Sequence, residues 1–197
     1  MSRFKAPLAC LSLLAASLAA HAAPQTIVIT DEAGQPVAQA AVAIMVKGAR
    51  TAAAAGTTAS MAQKGRAFQP TVLVVQTGTA VLFPNFDTVR HHVYSFSAIK
   101  KFEIKLYAGT PAAPVVFDKP GTATLGCNIH DKMLAYIHVV DTPHFGVTGA
   151  DGQVSLDLPP GEHRVQVWWP ALGESNPGVE QAIKVGGTQA VTVRVKV

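Results

Sequence analysis

The chain has 197 residues, 49% of them hydrophobic and 14% charged, with a formal charge of +4. Such a charge balance, without clustered Lys and Arg, gives no support for a nucleic-acid footprint, and the length allows one large or two small domains. At the N-terminus Arg3 and Lys5 precede an apolar stretch, residues 8–20, too short to span a bilayer, and Ala20-His21-Ala22 offers a small-residue cleavage site. This predicts a secretory signal peptide over residues 1–22, and hence an exported, periplasmic protein. Cys10 is no lipoprotein anchor, because the apolar region follows it. Processing leaves 14 basic against 12 acidic residues and a single cysteine, Cys127, so no internal disulfide is expected. No later stretch is apolar and long enough for a membrane-spanning helix.

After the signal peptide, helical periodicity is nearly absent. Short apolar runs punctuated by Gly, Pro, Asn and Asp recur every 8–12 residues or so, the pattern of an all-β sandwich or barrel. Strands are predicted at 26–30, 41–46, 71–76, 80–83, 91–96, 101–106, 115–118, 122–125, 136–140, 154–158, 164–168 and 192–197. Turn signals separate them, among them Thr77-Gly78, Lys119-Pro120-Gly121, Asp151-Gly152 and Pro159-Pro160-Gly161. Residues 51–58, small and rich in Ala, Thr and Gly, read as a linker, and a second boundary falls near Thr142-Pro143.

The segment that carries chemistry is Gly126-Cys127-Asn128-Ile129-His130-Asp131-Lys132-Met133. A thiolate, an imidazole and a thioether share seven residues, spaced C-x2-H-x2-M, just before the apolar run 136–140. Two imidazoles, a thiolate and a weak axial thioether form the ligand set of a blue-copper electron-transfer site. The second imidazole must come from elsewhere, and His91-His92 on an upstream strand supplies it. Taken singly, each residue has a plainer reading: a buried cysteine, a core methionine, an exposed histidine pair. Adjacent strand residues face opposite ways, so only one of His91 and His92 points inward. Local alternation groups His92 with Tyr94 and Phe96 on the more apolar face. Trp168-Trp169 reads as strand-end packing, and His138, His144 and His163 as structural or surface residues without ligand spacing.

Residues 59–141 resemble a cupredoxin of the amicyanin and plastocyanin kind. The resemblance rests on Phe68-Gln69-Pro70, Thr77-Gly78-Thr79, the run Phe83-Pro84-Asn85-Phe86-Asp87 with His91 six residues after Asn85, and the C-x2-H-x2-M loop. It implies one type 1 copper ion held by His91, Cys127, His130 and Met133, with Asn85, His92 and Asp131 in an outer shell. Gly126 and Asp131 depart from the family pattern, which has a bulky residue before the cysteine and, in amicyanin, a proline after the histidine. The flanks, 23–50 and 142–197, resemble the two halves of a carboxypeptidase-regulatory-like β-sandwich, which implies a cupredoxin inserted into a split sandwich. Three sequential units are the alternative. The whole layout is similar to periplasmic proteins of the methylamine-utilization type.

The implied function is one-electron transport with a periplasmic redox partner protein. A copper storage, delivery or sensing module, or a metal-free β scaffold, are the alternatives. An enzyme is disfavoured, since no second histidine cluster with ligand spacing is visible.

Overall fold

The computed structural model describes residues 22–111, 113–187 and 189–197. Apart from Ala22, the expected signal peptide lies outside them. The protein is all-β, with one short 3-10 turn at Pro170–Leu172 and no α-helix among the described residues. The first strands are β1 (Ala23–Thr30), β2 (Ala41–Val46), β3 (Thr58–Ser60), β4 (Ala62–Gln63), β5 (Phe68–Gln69) and β6 (Val72–Gln76). Then come β7 (Thr79–Leu82), β8 (His91–Ser95), β9 (Phe102–Tyr107), β10 (Val115–Phe117), β11 (Gly121–Gly126) and β12 (Leu134–Val140). The chain closes with β13 (Phe145–Val147), β14 (Gln153–Leu158), β15 (Gly161–Trp168), β16 (Val179–Val185) and β17 (Val191–Arg194).

The strands from the two ends of the chain pair with one another. One sheet has the order β14-β1-β17 and another the order β13-β2-β15-β16. Alternation along each strand sends Ile27 and Ile29 from β1, Val42 and Ile44 from β2, and Val165 and Val167 from β15 into one shared core. The middle of the chain builds a five-stranded sheet, β6-β12-β11-β8-β9, and a three-stranded one, β10-β7-β3. Val81, Phe117, Ala123, Leu125, Ile137 and Val139 meet between them, with Phe83 and Phe68.

A third, smaller cluster joins the two regions: Ala41, Ala43 and Trp168 pack on Val72, Val74 and Val140. Trp168 and Trp169 point opposite ways, the first into this junction and the second into the terminal sandwich core, and both are buried. Burying such a side chain contributes about 2 kcal/mol. The residues therefore pack, as expected of them.

Strand β16 escaped the sequence pattern. Val179-Glu180-Gln181-Ala182-Ile183-Lys184-Val185 is half polar because one face is wet, and its strand state comes from seven paired positions along β15. Strands β3, β4, β5 and β13, of two or three residues each, are too short to show a period.

Candidate metal centre

Three strand ends converge. His91 opens β8, Cys127 follows the last residue of β11, and Met133 precedes β12. The β11–β12 pairing runs out to Gly126 opposite Leu134, so residues 127–133 are forced into a tight loop, braced by the Met133 N–H donating to the His130 carbonyl at 2.9 Å. Strand β8 reaches the same end through the pairing of Tyr94 with Gly126.

The donor atoms of His91, Cys127 and His130 lie within 4.8 Å of one another. Nδ1 of His91 is 3.8 Å from Cys127 Sγ, and the two imidazoles are 5.3 Å apart at 56°. Donors on one metal, each bonded at about 2.0–2.3 Å, stand roughly 3.5 Å apart, so small adjustments would bring all three onto one ion. His130 Nδ1 is buried and has no hydrogen-bond partner. An unpaired buried ring nitrogen is costly by itself, and a metal at this point would satisfy it. Met133 is buried in the same cluster as Cys127. The donor set thus fits a copper ion, with soft sulfur and borderline imidazole ligands.

His91 is the histidine that faces Cys127. His92, on the other face, stacks edge-on against Tyr94 at 6.0 Å, and its Nε2 lies 2.9 Å from Glu103 Oε1, out of line for a hydrogen bond. The resemblance, and not the local alternation, implies this orientation. Alternation misleads because Tyr94 and Phe96 look like core residues, yet Phe96 is 76% exposed.

Around these residues a polar scaffold orders the loop before β8. Asn85 is buried, its Nδ2 donating to the carbonyls of Val89 and Tyr107 while its Oδ1 accepts from the Asp87 N–H. The Tyr107 hydroxyl lies 2.7 Å from both the Gln63 side chain and the Phe83 carbonyl. Burial above all pushes its pKa up to about 12, opposed by the Gln63 hydrogen bond and reinforced by Cys127, so it stays a neutral donor. Asp131 is exposed beside His130.

Sequence reasoning missed Asp87 as a partner of the site. Its Oδ2 lies 2.8 Å from His91 Nε2. The Arg66 N–H first, then His91 and the Gly65 N–H hold its carboxyl below the usual range, against a smaller opposing effect of burial. The sequence signal was an acid four residues before His91, within the run 83–91 that carries the resemblance.

Gly126 has a steric reason. A Cβ there would lie 2.6 Å from Cζ and Oη of Tyr94, whose ring fills the space a side chain before Cys127 would take.

No family model matches the chain, and no curated relative matches its sequence. Solved structures are similar in outline. A reduced amicyanin mutant is 16% identical over 50% of this chain and 97% of its own, with a TM-score of 0.39. A purple cupredoxin from Nitrosopumilus maritimus is 20% identical over 41% and 98%, TM-score 0.37. A copper-containing nitrite reductase from Thermus scotoductus is 26% identical over 59% of this chain and 28% of its own, TM-score 0.40. The candidate centre stands on its own geometry.

Proposed function

We propose that the protein is a type 1 copper protein that carries single electrons, with His91, Cys127, His130 and Met133 as ligands. The supporting observation is that the donor atoms of His91, from the start of β8, and of Cys127 and His130, from the β11–β12 loop, lie within 4.8 Å of one another, with Nδ1 of His130 buried and unpaired. Bound copper would supply the one-electron couple. The chain's part is to hold the donors still: Cys127 and Met133 are embedded among apolar side chains, and His91 is wholly buried. Such fixed, dry ligands change little between two metal oxidation states, and only His130 of the imidazoles is partly open to a partner. Residues 59–141 then form a cupredoxin domain inserted into a split sandwich of 23–50 and 142–197, and the signal peptide directs the whole to the periplasm to meet a redox protein. The resemblance in residues 83–91 and 126–133 supports this reading.

The test is titration of the purified protein with Cu(II), followed by visible spectroscopy and voltammetry, beside Cys127→Ser. One equivalent of copper, an intense thiolate charge-transfer band lost in Cys127→Ser, and reversible one-electron reduction are expected. Tight Cu(I) binding without that band would make the protein a storage or delivery module instead, and no binding would make it a metal-free scaffold.

A further inference from the structure

The β4–β5 hairpin tip lies outside the ligand segments, yet its backbone is directed at them. Lys64 N–H donates to the Ala67 carbonyl at 3.0 Å, and the two residues between, Gly65 and Arg66, both have positive φ, +65° and +57°. That is the two-residue hairpin turn in which both central residues take left-handed conformations. Glycine adopts this at no cost, whereas arginine does so against its preference. The conformation turns two successive N–H groups to one side, where they make a small anion-binding concavity.

Asp87 fills it. Gly65 N–H donates to Oδ1 at 2.7 Å and Arg66 N–H to Oδ2 at 2.9 Å, so each carboxylate oxygen has its own backbone donor. The Asp87 N–H donates in turn to Asn85 Oδ1 at 2.9 Å. The hairpin is itself tied to the ligand-bearing region, since Gln63 N–H donates to the Pro84 carbonyl and Phe86 N–H to the Gln63 carbonyl. The carboxylate therefore has almost no freedom to turn, and its Oδ2 faces Nε2 of His91 at 2.8 Å.

We infer that Asp87, clamped in the Gly65–Arg66 backbone nest, is the positioning residue that holds His91 in the tautomer with its proton on Nε2, so that a bare Nδ1 faces Cys127. An ionised carboxylate only accepts hydrogen bonds, so a contact at this distance requires the ring proton to be on Nε2. The remaining nitrogen, Nδ1, is then an unprotonated lone pair 3.8 Å from the cysteine sulfur. The opposite tautomer would set two lone-pair atoms against each other inside a packed wall. A carboxylate behind a ligating imidazole fixes its orientation and raises its basicity, and removing such a partner commonly costs 10–100-fold in metal affinity. The arrangement exists in the protein chain alone, before any metal enters, and only its consequence for affinity rests on the copper reading.

The test uses the full mature chain, 15N-labelled and metal-free. Long-range 1H–15N correlation of the histidine rings reports each tautomer directly. In the wild type, His91 is expected to show a protonated Nε2 and an unprotonated Nδ1. Asp87→Asn presents both a donor and an acceptor to the ring, so the single-tautomer signature should be lost while the amide spectrum stays dispersed. Asp87→Glu restores a carboxylate and should recover the signature at least in part, which a merely structural role for the side chain would not explain. Arg66→Gly keeps the backbone N–H and should leave the tautomer unchanged. Competition titration with Cu(II) should show Asp87→Asn binding 10–100-fold more weakly than the wild type. A folded Asp87→Asn protein that kept the wild-type tautomer, or a wild type with the proton on Nδ1, would overturn the inference. Absence of Cu(II) binding in the wild type would instead remove the copper reading, and the tautomer spectra would still decide the role of Asp87.

Discussion

Acid should weaken this protein through His138, a residue at the junction of its two cores. His138 is 3% exposed, lies flat on Trp168 with ring centres 5.2 Å apart at 11°, and shares a 2.9 Å hydrogen bond between Nδ1 and the buried Thr122 hydroxyl. Burial lowers its pKa from 6.5 to about 4. Near pH 5 the unfolded chain therefore carries a proton on this ring that the folded chain refuses. The stability tied to the neutral ring is fully present above pH 6.5, falls as the pH drops towards 4, and changes little further once both states are protonated. A window of about 2.5 pH units at about 1.4 kcal/mol each sets the loss near 3 kcal/mol. Urea unfolding at pH 7, 6, 5 and 4, followed by fluorescence of the two tryptophans, Trp168 and Trp169, measures it. The overall charge of the protein changes over the same range, so the reference is His138→Phe with Thr122→Val. That pair keeps an aromatic ring on Trp168 and leaves no orphaned hydroxyl. The wild type should lose about 3 kcal/mol more than the double variant between pH 7 and pH 4. Equal losses would refute the reasoning, since they would mean that His138 is solvated or already charged in the folded protein.

Gly126→Ala should destabilise the fold by about 1–3 kcal/mol, because the new methyl meets the Tyr94 ring, and Tyr94→Ala should recover most of that in a double-mutant cycle of chemical denaturation. Met133→Leu conserves volume in a buried site, so it should cost under about 1.5 kcal/mol, retain copper and raise the reduction potential measured by voltammetry. A fragment of residues 59–141 should fold and bind one copper, whereas 142–197 alone should give no cooperative unfolding transition by circular dichroism. The reason is topological: β1 and β2, both absent from that second fragment, are interior strands of the two terminal sheets.

The class of fold was legible in the chain itself. Alternating runs such as Thr26 to Thr30 and Arg164 to Trp168, cut by Gly and Pro turns, imply strands with one wet and one dry face, and the structure is all-β. Candidate donors were legible as well, because thiolate, imidazole and thioether at C-x2-H-x2-M spacing are chemically unusual together, and the structure places the donor atoms of three of the four candidates, His91, Cys127 and His130, near one another. These are local properties: side-chain type, period and spacing are carried by neighbouring residues.

What the sequence could not carry was set by contacts between distant segments. The facing of His91 instead of His92, which the resemblance implied and local alternation did not, follows physically from how β8 lies beside β11. The role of Gly126 is invisible without Tyr94, a residue 32 positions earlier whose ring takes its side-chain space. Asp87 stood in the run that carries the resemblance but with no role of its own, and the hairpin at Gly65 and Arg66, folded over it, gives it one. His138 read as a packing or surface residue, and it is the packing against Trp168 in the folded protein that buries it and moves its pKa. Tertiary structure decided these because hydrogen bonds, desolvation and steric exclusion act over a few ångströms of space, whatever the distance along the chain.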